Sequence, residues 1–338
     1  MNSYGTIFRI HIFGASHGPS VGITIDGCPA GIDLTAADFT TDIERRKGGS
    51  QPGTTPRKED DIPIFLSGMF NDKTTGAPLT IMFENNNTRS GDYEKQRAVP
   101  RPGHADFIAS KKFDGFEDYR GGGHFSGRLT VCLVAAGVVA KKVLAQVNNN
   151  INCIATLLEV GGETDIEKGI EKAMQLGDSI GGIVQCNVSN LPLGLGEPFF
   201  DSVESELSHA VFAIPAIKGI EFGTGFAAAK MVGSQHNDAL QNDTGKTLTN
   251  NAGGIVGGIT NGNELIFRIA VKPTSSTPKV QQTLNTTTNE IEDFSVKGRH
   301  DLCIALRVPV VLEAVTAFVL TDLLLRYTAQ KKYKNLEK

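Results

Sequence analysis

The sequence has no excess of positive charge. It contains 33 lysine and arginine residues against 37 aspartate and glutamate residues, which gives a formal net charge of -4. General nucleic-acid binders have a basic surface, and single-strand binders also place aromatic side chains among the basic ones. Aromatic residues make up only 7% of this chain, and tryptophan is absent. These shortages argue against a nucleic-acid-binding protein, so any anion must be bound by local groups of arginine and lysine.

Cysteine is also sparse, and no two cysteines form a CxxC pair. The five cysteines are odd in number and lie mostly in apolar contexts such as "TVCLVA"; they are Cys28, Cys132, Cys153, Cys186 and Cys303. This pattern is typical of reduced, buried thiols in a cytoplasmic protein. It predicts neither a disulfide framework nor a metal site.

A long uninterrupted hydrophobic run is missing as well. The most apolar tract, residues 308–325, contains Glu313 and Asp322, so we expect a buried helix and no membrane span. The N-terminal "MNSYGTIFRIHIFG" has no charged stretch ahead of continuous apolar residues, and a cleaved signal is not expected. Because no linker-like segment or composition break occurs, we expect one domain over residues 1–338.

Hydrophobic periodicity predicts a mixture of strands and helices. Val21, Ile23 and Ile25 alternate along a strand in "SVGITIDG", and "LIFRIAV" near the other end has the same alternation. Thr35 followed by Asp38 predicts the start of a helix. We expect helices over residues 35–46, 126–147, 201–212 and 309–330.

One order of elements occurs twice. Residues 23–46 and residues 184–210 each predict a strand, a turn with proline and glycine, and an amphipathic helix. Two similar halves would bury helices between or behind antiparallel sheets, which makes the expected fold class α+β. The same order is common enough to arise by chance, so both interpretations stay open at this point.

Polar residues gather in loops that contain glycine and proline. "FGASHGPS" places Ser16 and His17 in a turn, "RPGHADF" places His104 in another, and "GGGHFS" adds His124. A single loop histidine is most often a solvated bystander. Three histidines in such loops favour a proton-transfer site.

Cationic side chains occupy similar loops. Their positions are Arg45, Arg46, Lys47, Arg57 and Lys58 in "ERRKGGSQPGTTPRKED", together with Arg89, Arg101, Arg120 and Arg128. The first group is also compatible with a solvated helix end. Because guanidinium groups bind phosphate and carboxylate through paired hydrogen bonds, the arginines indicate a small polyanionic substrate.

Three consecutive glycines precede polar residues and an apolar helix in "DYRGGGHFSGRLT", residues 118–130. The simplest interpretation is a tight loop before a helix. Such a loop also presents free backbone N–H groups, which favour an anion or a polar ring edge. Neither the GxGxxG nor the Walker pattern is present. "NAGGIVGGITNG" and "KPTSSTP" predict further walls of a ligand site.

Together these motifs resemble the chorismate synthase family, in order and over essentially the whole chain. The matching segments are "GASHG", "ERRKGG" with "TTPRKE", "RSGDY", "RPGHAD", "DYRGGGHFSGR", "GEPFFD", "GSQHND", "NAGGIVGGITNG", "KPTSST" and "GRHDLC". The resemblance implies an α+β fold, a β-α-β sandwich of two similar halves with helices packed between antiparallel sheets, and a homotetramer. It also implies a lyase of the shikimate pathway that serves aromatic amino acid biosynthesis. Such an enzyme removes phosphate from 5-enolpyruvylshikimate 3-phosphate to give chorismate and requires reduced FMN.

The resemblance further implies roles for individual residues. His17 matches a histidine that protonates the departing phosphate, and His104 matches one that protonates or stabilises reduced flavin. Asp301 matches an aspartate that handles the flavin N5 proton, while Ser16 and Ser126 match serines of a proton relay. Expected FMN contacts are His124, Phe125, Ser126, Pro215, Ala216, Gly257, Lys272, Pro273, Thr274, Ser275, Ser276 and Arg299. Expected substrate contacts are Arg45, Arg46, Arg57 and Arg128.

The chain departs from the family pattern at five positions. Ala15 replaces a glutamate, and Pro52 stands where many members have arginine. His124 and Phe125 replace an arginine and a serine, and Leu302 replaces a proline. None of these changes removes a proposed catalytic group, but they leave open the flavin phosphate contacts and any NADP site.

Two other classes of function stay open at this point. A flavin- or nucleotide-dependent enzyme with another phosphorylated substrate would share the loops and arginines, but would not need both His17 and His104. A non-catalytic anion or RNA binder would need the arginines alone, and the low aromatic content argues against it. Because no reductase-like domain is recognised, we expect a separate flavin reductase to supply reduced FMN to a cytoplasmic enzyme.

Overall fold

Two antiparallel sheets form the frame of the protein. The computed structural model describes residues 1–49, 52–55, 59–87, 97–296 and 300–333. The strands are β1 (Ser3–Tyr4), β2 (Arg9–Gly14), β3 (Ser20–Asp26), β4 (Ile64–Ser67), β5 (Met69–Phe70), β6 (Lys73–Thr74), β7 (Leu79–Glu84), β8 (Asn152–Val160), β9 (Gly182–Ser189), β10 (Ile217–Phe222), β11 (Ile255–Val256), β12 (Ile259–Thr260), β13 (Leu265–Val271), β14 (Gln281–Asn285) and β15 (Glu290–Phe294). The α-helices are α1 (Thr40–Arg46), α2 (Asp106–Lys112), α3 (Thr130–Val147), α4 (Ile166–Leu176), α5 (Val203–Val211), α6 (Gly233–His236) and α7 (Val308–Tyr333).

The two sheets share one strand arrangement. The first sheet has the strand order β1-β2-β3-β7-β4, and the second sheet, read from the edge at β8, has the order β8-β9-β13-β10. The strands β2-β3-β7-β4 of the first sheet therefore correspond to β8-β9-β13-β10 of the second. In each set a short helix comes after the second strand, α1 after β3 and α5 after β9. A long helix comes after the third, α3 after β7 and α7 after β13. The expectation of two similar halves is confirmed, and residues 23–46 and 184–210 are corresponding parts of them.

A pair of long apolar helices fills the space between the sheets. α3 packs against α7, and α3 also contacts β3 and β7 while α7 contacts β8 and β9. At the crossing, a β-carbon on Gly137 would lie 2.3 Å from the Ala314 β-carbon, so glycine permits the close approach. The expected α+β class, with helices between antiparallel sheets, is therefore confirmed.

These helices are apolar because they lie in the core. By length and composition the segments Arg120–Val147 and Ile304–Lys331 could each cross a membrane, but their most apolar windows are 67% and 89% buried inside the protein. Burial of this kind is typical of core helices, which are hydrophobic all round.

Two buried carboxylates of α7 tie other elements to the core. Glu313 accepts two hydrogen bonds of 2.7 Å from the Arg45 guanidinium and one of 3.0 Å from the Ala155 N–H. Asp322 accepts hydrogen bonds from the backbone N–H groups of residues 6–8. Because paired and hydrogen-bonded charges are the ones tolerated in a core, these contacts explain the acidic residues in an apolar helix. The second contact also anchors the segment that leads into β2.

Helix starts differ slightly from those expected. Thr35 and Asp38 form the predicted capping box, although it leads first into a 3₁₀ turn, Ala36–Phe39. Ser126 caps a second 3₁₀ turn by accepting a hydrogen bond from the Arg128 N–H, so α3 begins four residues later than expected, at Thr130. The sequence pattern located the caps but did not reveal the tighter first turns, which are common at helix ends.

Candidate active site

Two of the three consecutive glycines pack against histidines from other loops. Gly121, Gly122 and Gly123 all have positive φ angles, 61°, 81° and 51°, which glycine adopts without strain. A β-carbon on Gly121 would lie 2.1 Å from His17 Nδ1, and one on Gly122 would lie 3.0 Å from His104 Cε1. Two imidazole rings therefore exclude side chains at Gly121 and Gly122, and the Asp118 carbonyl oxygen, 2.0 Å from a β-carbon on Gly123, excludes one there.

A cavity of about 290 Å³ opens beside this loop. Its lining includes four arginines, one lysine and three histidines: Arg46, Arg101, Arg128, Arg307, Lys47, His17, His104 and His300. Ser126, Thr274, Ser276, Glu59 and Asp301 complete much of its polar lining. Cations outnumber acids on these walls, as a site for a small polyanion requires. We refer to it as the arginine cavity.

Two of its arginines are held by one buried carboxylate. Arg46 Nη2 donates to Asp61 Oδ2 at 2.7 Å, and Arg128 Nη1 donates to the other Asp61 oxygen. Burial favours a raised pKa for Asp61, but the two guanidinium groups outweigh it and lower that pKa. Burial also lowers the pKa of Arg46 to about 10, which leaves it charged at neutral pH. Asn85 Oδ1 accepts a further hydrogen bond of 3.0 Å from Arg128 Nε, so both guanidinium planes are fixed.

His104 belongs to a hydrogen-bonded group with an aspartate and an arginine. Its Nδ1 lies 2.5 Å from Asp106 Oδ1. Arg101 donates to the same carboxylate through Nε at 2.7 Å and through Nη2 at 2.8 Å. Burial favours a raised pKa for Asp106, but the hydrogen bonds from Arg101 and His104 lower it. The imidazole is therefore held by a charged carboxylate.

Asp301 also lines the arginine cavity, and each of its carboxylate oxygens accepts a hydrogen bond. Oδ1 accepts a hydrogen bond of 2.9 Å from the Thr55 N–H, and Oδ2 accepts one of 2.8 Å from Arg307 Nη1. Arg307 Nε in turn donates to the Arg46 carbonyl at 2.7 Å. Asp301 thus links two loops to the end of α1.

A second, larger cavity of about 740 Å³ adjoins the first. The residues that line both are His104, Ser126, Gly127, Thr130, Ile214, Pro215, Thr274 and Ile304. Apolar side chains of the larger cavity include Ile10, Ile12, Leu133, Ile217 and Phe318. We refer to it as the large cavity; its volume and mixed lining suit a cofactor-sized organic ligand.

Two lysines in the large cavity lie near each other. Lys272 Nζ donates to Ser275 Oγ at 2.9 Å, and burial together with the positive charge of Lys218 lowers the Lys272 pKa. In the part of the chain that the structure describes, no ion pair joins either lysine to a carboxylate. Two ammonium groups without acidic partners fit the phosphate of a nucleotide-like cofactor.

Most residues expected in the site do line these cavities. His17, Asp301, Arg46, Arg128 and Ser276 line the arginine cavity; His124, Phe125, Ala216, Lys272 and Ser275 line the large one; His104, Ser126, Pro215 and Thr274 line both. Ser16 is fully buried, and its N–H donates to the Gly123 carbonyl at 3.0 Å. His124 is fixed between the Gly14 carbonyl and Asn2 Oδ1, at 2.8 and 3.0 Å.

Other expected residues lie elsewhere. Arg45 lines neither cavity, because its guanidinium binds Glu313. Gly257 lies in the turn between β11 and β12, also outside both cavities, and Pro273 lies between two lining residues. Arg57, Arg299 and the loop arginine Arg89 are outside the described residues.

Sequence reasoning missed several residues of the site. Asp61, Asp106 and Arg307 hold other site residues, and Lys218 joins Lys272 in the large cavity. Asp106 follows His104 by two residues in "RPGHAD", a signal that could have been used. Asp61 and Lys218 have no comparable local pattern, since their partners come from distant parts of the chain.

Comparisons with known proteins match this chain to one family over nearly its whole length. A family model described as chorismate synthase matches residues 8–325. A chorismate synthase of Chitinophaga pinensis is 67% identical over 336 residues, 99% of this chain and 100% of that protein. One from Dehalococcoides mccartyi is 45% identical and covers 96% of this chain and 97% of its own length. A chorismate synthase crystal structure matches with a TM-score of 0.73 at 24% identity, over 96% of this chain and 93% of that one, which supports the fold. The chain therefore belongs to the chorismate synthase family, lyases that catalyse the last step of the shikimate pathway.

Proposed function

We propose that the two adjoining cavities are the active site for a reduced-FMN-dependent elimination of phosphate from 5-enolpyruvylshikimate 3-phosphate, which gives chorismate. The observation that carries the proposal is the shared wall. His104 lines both cavities, and it packs on the same glycine loop as His17, which lines the arginine cavity. A phosphorylated substrate and a flavin can therefore lie side by side next to two proton-transfer groups.

The arginine cavity suits the substrate because the substrate has one phosphate and two carboxylates. Arg101 and Arg307 add positive charge to the pair formed by Arg46 and Arg128. Arg46 Nε is buried and has no hydrogen-bond partner among the described residues, so it keeps an unused donor. Asp61 fixes the pair in advance, which reduces the ordering cost of binding.

The large cavity suits FMN. Its apolar side chains would contact the ring system, and Lys218, Lys272 and Ser275 would bind the phosphate. Thr274 and Pro215 lie where the two cavities meet. Reduced flavin, when bound, would supply an electron-rich ring that can stabilise charge as phosphate departs and accept the hydrogen lost from the substrate ring.

The histidines have separate tasks in this proposal. His17 is nearly buried in the arginine cavity and serves as the acid that protonates the departing phosphate. His104, which lines both cavities, would protonate or stabilise the reduced flavin. Ser126 lines both cavities and Ser16 adjoins His17, so both can relay protons. Asp301 lines the arginine cavity only, and each of its oxygens accepts one hydrogen bond and keeps a second lone pair that can take up a proton.

A homotetramer is part of the proposal. Large apolar side chains are exposed in the segment between β10 and β13, among them Phe226, Leu240, Leu248 and Val256 at 84%, 71%, 71% and 59%. Partner subunits would cover them and could bring Gly257 to a flavin site. Light scattering after gel filtration is expected to give four times the chain mass, and a monomer would contradict this part.

The proposal also places the enzyme in the cytoplasm and has a separate reductase supply the reduced flavin. The family model covers nearly the whole chain, residues 8–325, and this proposal assigns no part of it to flavin reduction. Addition of NADPH and oxidised FMN alone is therefore expected to give no turnover, whereas addition of a flavin reductase restores it.

The direct test is an anaerobic assay with dithionite-reduced FMN and 5-enolpyruvylshikimate 3-phosphate. Phosphate and chorismate are expected to appear in equal amounts, and oxidised FMN is expected to support no turnover. His17→Ala is expected to lose roughly 10²- to 10⁴-fold in turnover. The matched variant His11→Ala, at an exposed histidine that lines neither cavity, is expected to retain it. Phosphate release without chorismate would refute the proposed reaction.

A further inference from the structure

His104 has a carboxylate bound to its ring. Asp106 begins α2 two residues after His104, and the turn between them brings Oδ1 to 2.5 Å from Nδ1. Arg101 donates to both oxygens of the same carboxylate and also donates to Ser276 Oγ at 3.2 Å. Arg101, His104 and Asp106 therefore form one rigid group at the shared wall.

The contacts of Nδ1 determine which ring nitrogen has the proton. Arg101 Nη2 lies 3.1 Å from Nδ1, but a guanidinium offers only donors. Since the Asp106 carboxylate offers only acceptors, Nδ1 must have a hydrogen and donate it to Oδ1. In the neutral ring Nε2 then has no hydrogen and keeps a free lone pair. Nε2 lies on the side of Gly122, where a β-carbon would come within 3.3 Å of it.

We propose that Asp106 is a positioning residue that acts through His104. It holds the imidazole in the Nδ1–H tautomer, so that Nε2 can accept a proton at the shared wall and later return it. The identity of the reaction rests on the proposed function, whereas the tautomer and the ring orientation do not. Burial favours a raised pKa for Asp106, but hydrogen bonds from Arg101 and His104 lower it, so the carboxylate is charged when it holds the ring. An orienting carboxylate of this kind is a general way to hold a histidine base in one tautomer.

A double-mutant cycle separates action through His104 from a purely structural role. Asp106→Asn is expected to lower turnover by roughly 10- to 10³-fold, with most of the effect in kcat because Arg46, Arg128 and Arg307 are held by other carboxylates. Adding Asp106→Asn to His104→Ala is expected to cause no further loss. Losses that multiply, or a fully active His104→Ala, would overturn the proposal. Glu171→Gln, at an exposed carboxylate on α4 outside both cavities, is the matched control and is expected to retain full turnover.

A second measurement does not depend on activity or on a variant that folds poorly. Ring ¹⁵N chemical shifts of His104 are read in the wild-type protein and assigned by their loss in His104→Gln. At a pH where the ring is neutral, the expected result is a protonated Nδ1 and an unprotonated Nε2. The opposite tautomer, or an equal mixture of the two, would overturn the proposal even if the enzyme makes chorismate. A wild-type protein that makes no chorismate but shows this tautomer would refute only the proposed reaction.

Discussion

Replacing Gly121 with alanine would place a methyl group where the glycine loop meets His17. The added β-carbon would lie 2.1 Å from His17 Nδ1 and 3.1 Å from Ser16 Oγ. The residue would also have to keep a φ angle of 61°. The change therefore combines an unfavourable backbone conformation with a steric clash against the residue proposed to protonate the departing phosphate.

The two effects have different sizes and different consequences. A non-glycine residue in the left-handed region costs about 1–2 kcal/mol. Overpacking would add about 1–3 kcal/mol if His17 stayed in place. Because the clashing atoms belong to a side chain, displacing the imidazole is the easier response. We expect a loss of about 1–3 kcal/mol in the free energy of unfolding, and a fall in turnover of roughly 10²- to 10⁴-fold, the range for losing a positioned acid.

The matched control is Gly162→Ala. Gly162 also has a positive φ angle, 86°, but a β-carbon there would meet nothing within 4 Å. Urea unfolding of both variants measures the conformational cost, and the anaerobic chorismate assay measures turnover. Gly162→Ala is expected to lose about 1–2 kcal/mol and no activity. Wild-type turnover in Gly121→Ala would show that the loop does not position His17 and would refute the reasoning.

Two further predictions concern the charged groups. The lowered pKa of Asp61 means that its stabilising contribution is complete above its unfolded pKa of about 3.9 and is lost as the pH falls through the lower folded value. Asp61→Asn is therefore expected to cost about 3–5 kcal/mol at pH 7, and urea unfolding should show this difference shrinking below about pH 4; a difference that does not change with pH would contradict the assignment. Lys218→Ala is expected to weaken FMN binding by roughly tenfold, as for loss of one charge-assisted hydrogen bond, and titration of flavin fluorescence measures this. Exposed Lys168, outside both cavities, is the control, and equal FMN affinity in Lys218→Ala and Lys168→Ala would exclude Lys218 from the phosphate site.

Local pattern predicted much of the framework. The alternation in β3 and β13, the Thr35–Asp38 capping box and the apolar helix that became α7 follow from sequence spacing alone. The duplicated strand, turn and helix indicated two halves because both copies keep this order. The packing of α3 on α7 could not be predicted in the same way, since it depends on contacts such as Gly137 with Ala314 between distant segments.

The site was predictable where its residues stand in distinctive loops. His17, His104 and the three glycines were recognised from such loops, and the structure brings them into contact. The arginines were recognised by type, but type does not reveal partners: Arg46 and Arg45 are neighbours in the chain, yet one faces the cavity and the other binds Glu313. One residue along a helix turns a side chain by about 100°, so adjacent arginines in α1 cannot share one face.

The central claim is that a phosphorylated substrate and FMN occupy adjoining cavities with a common wall. If so, each ligand completes part of the other's site, and their binding must be coupled by the same factor in both directions. The direct measurement is the dissociation constant of oxidised FMN, by fluorescence titration, with and without saturating 5-enolpyruvylshikimate 3-phosphate, because this mixture does not turn over. We predict roughly 5- to 150-fold tighter FMN binding with substrate present, the usual range for coupled sites. Equal FMN affinity with and without substrate would contradict the claim.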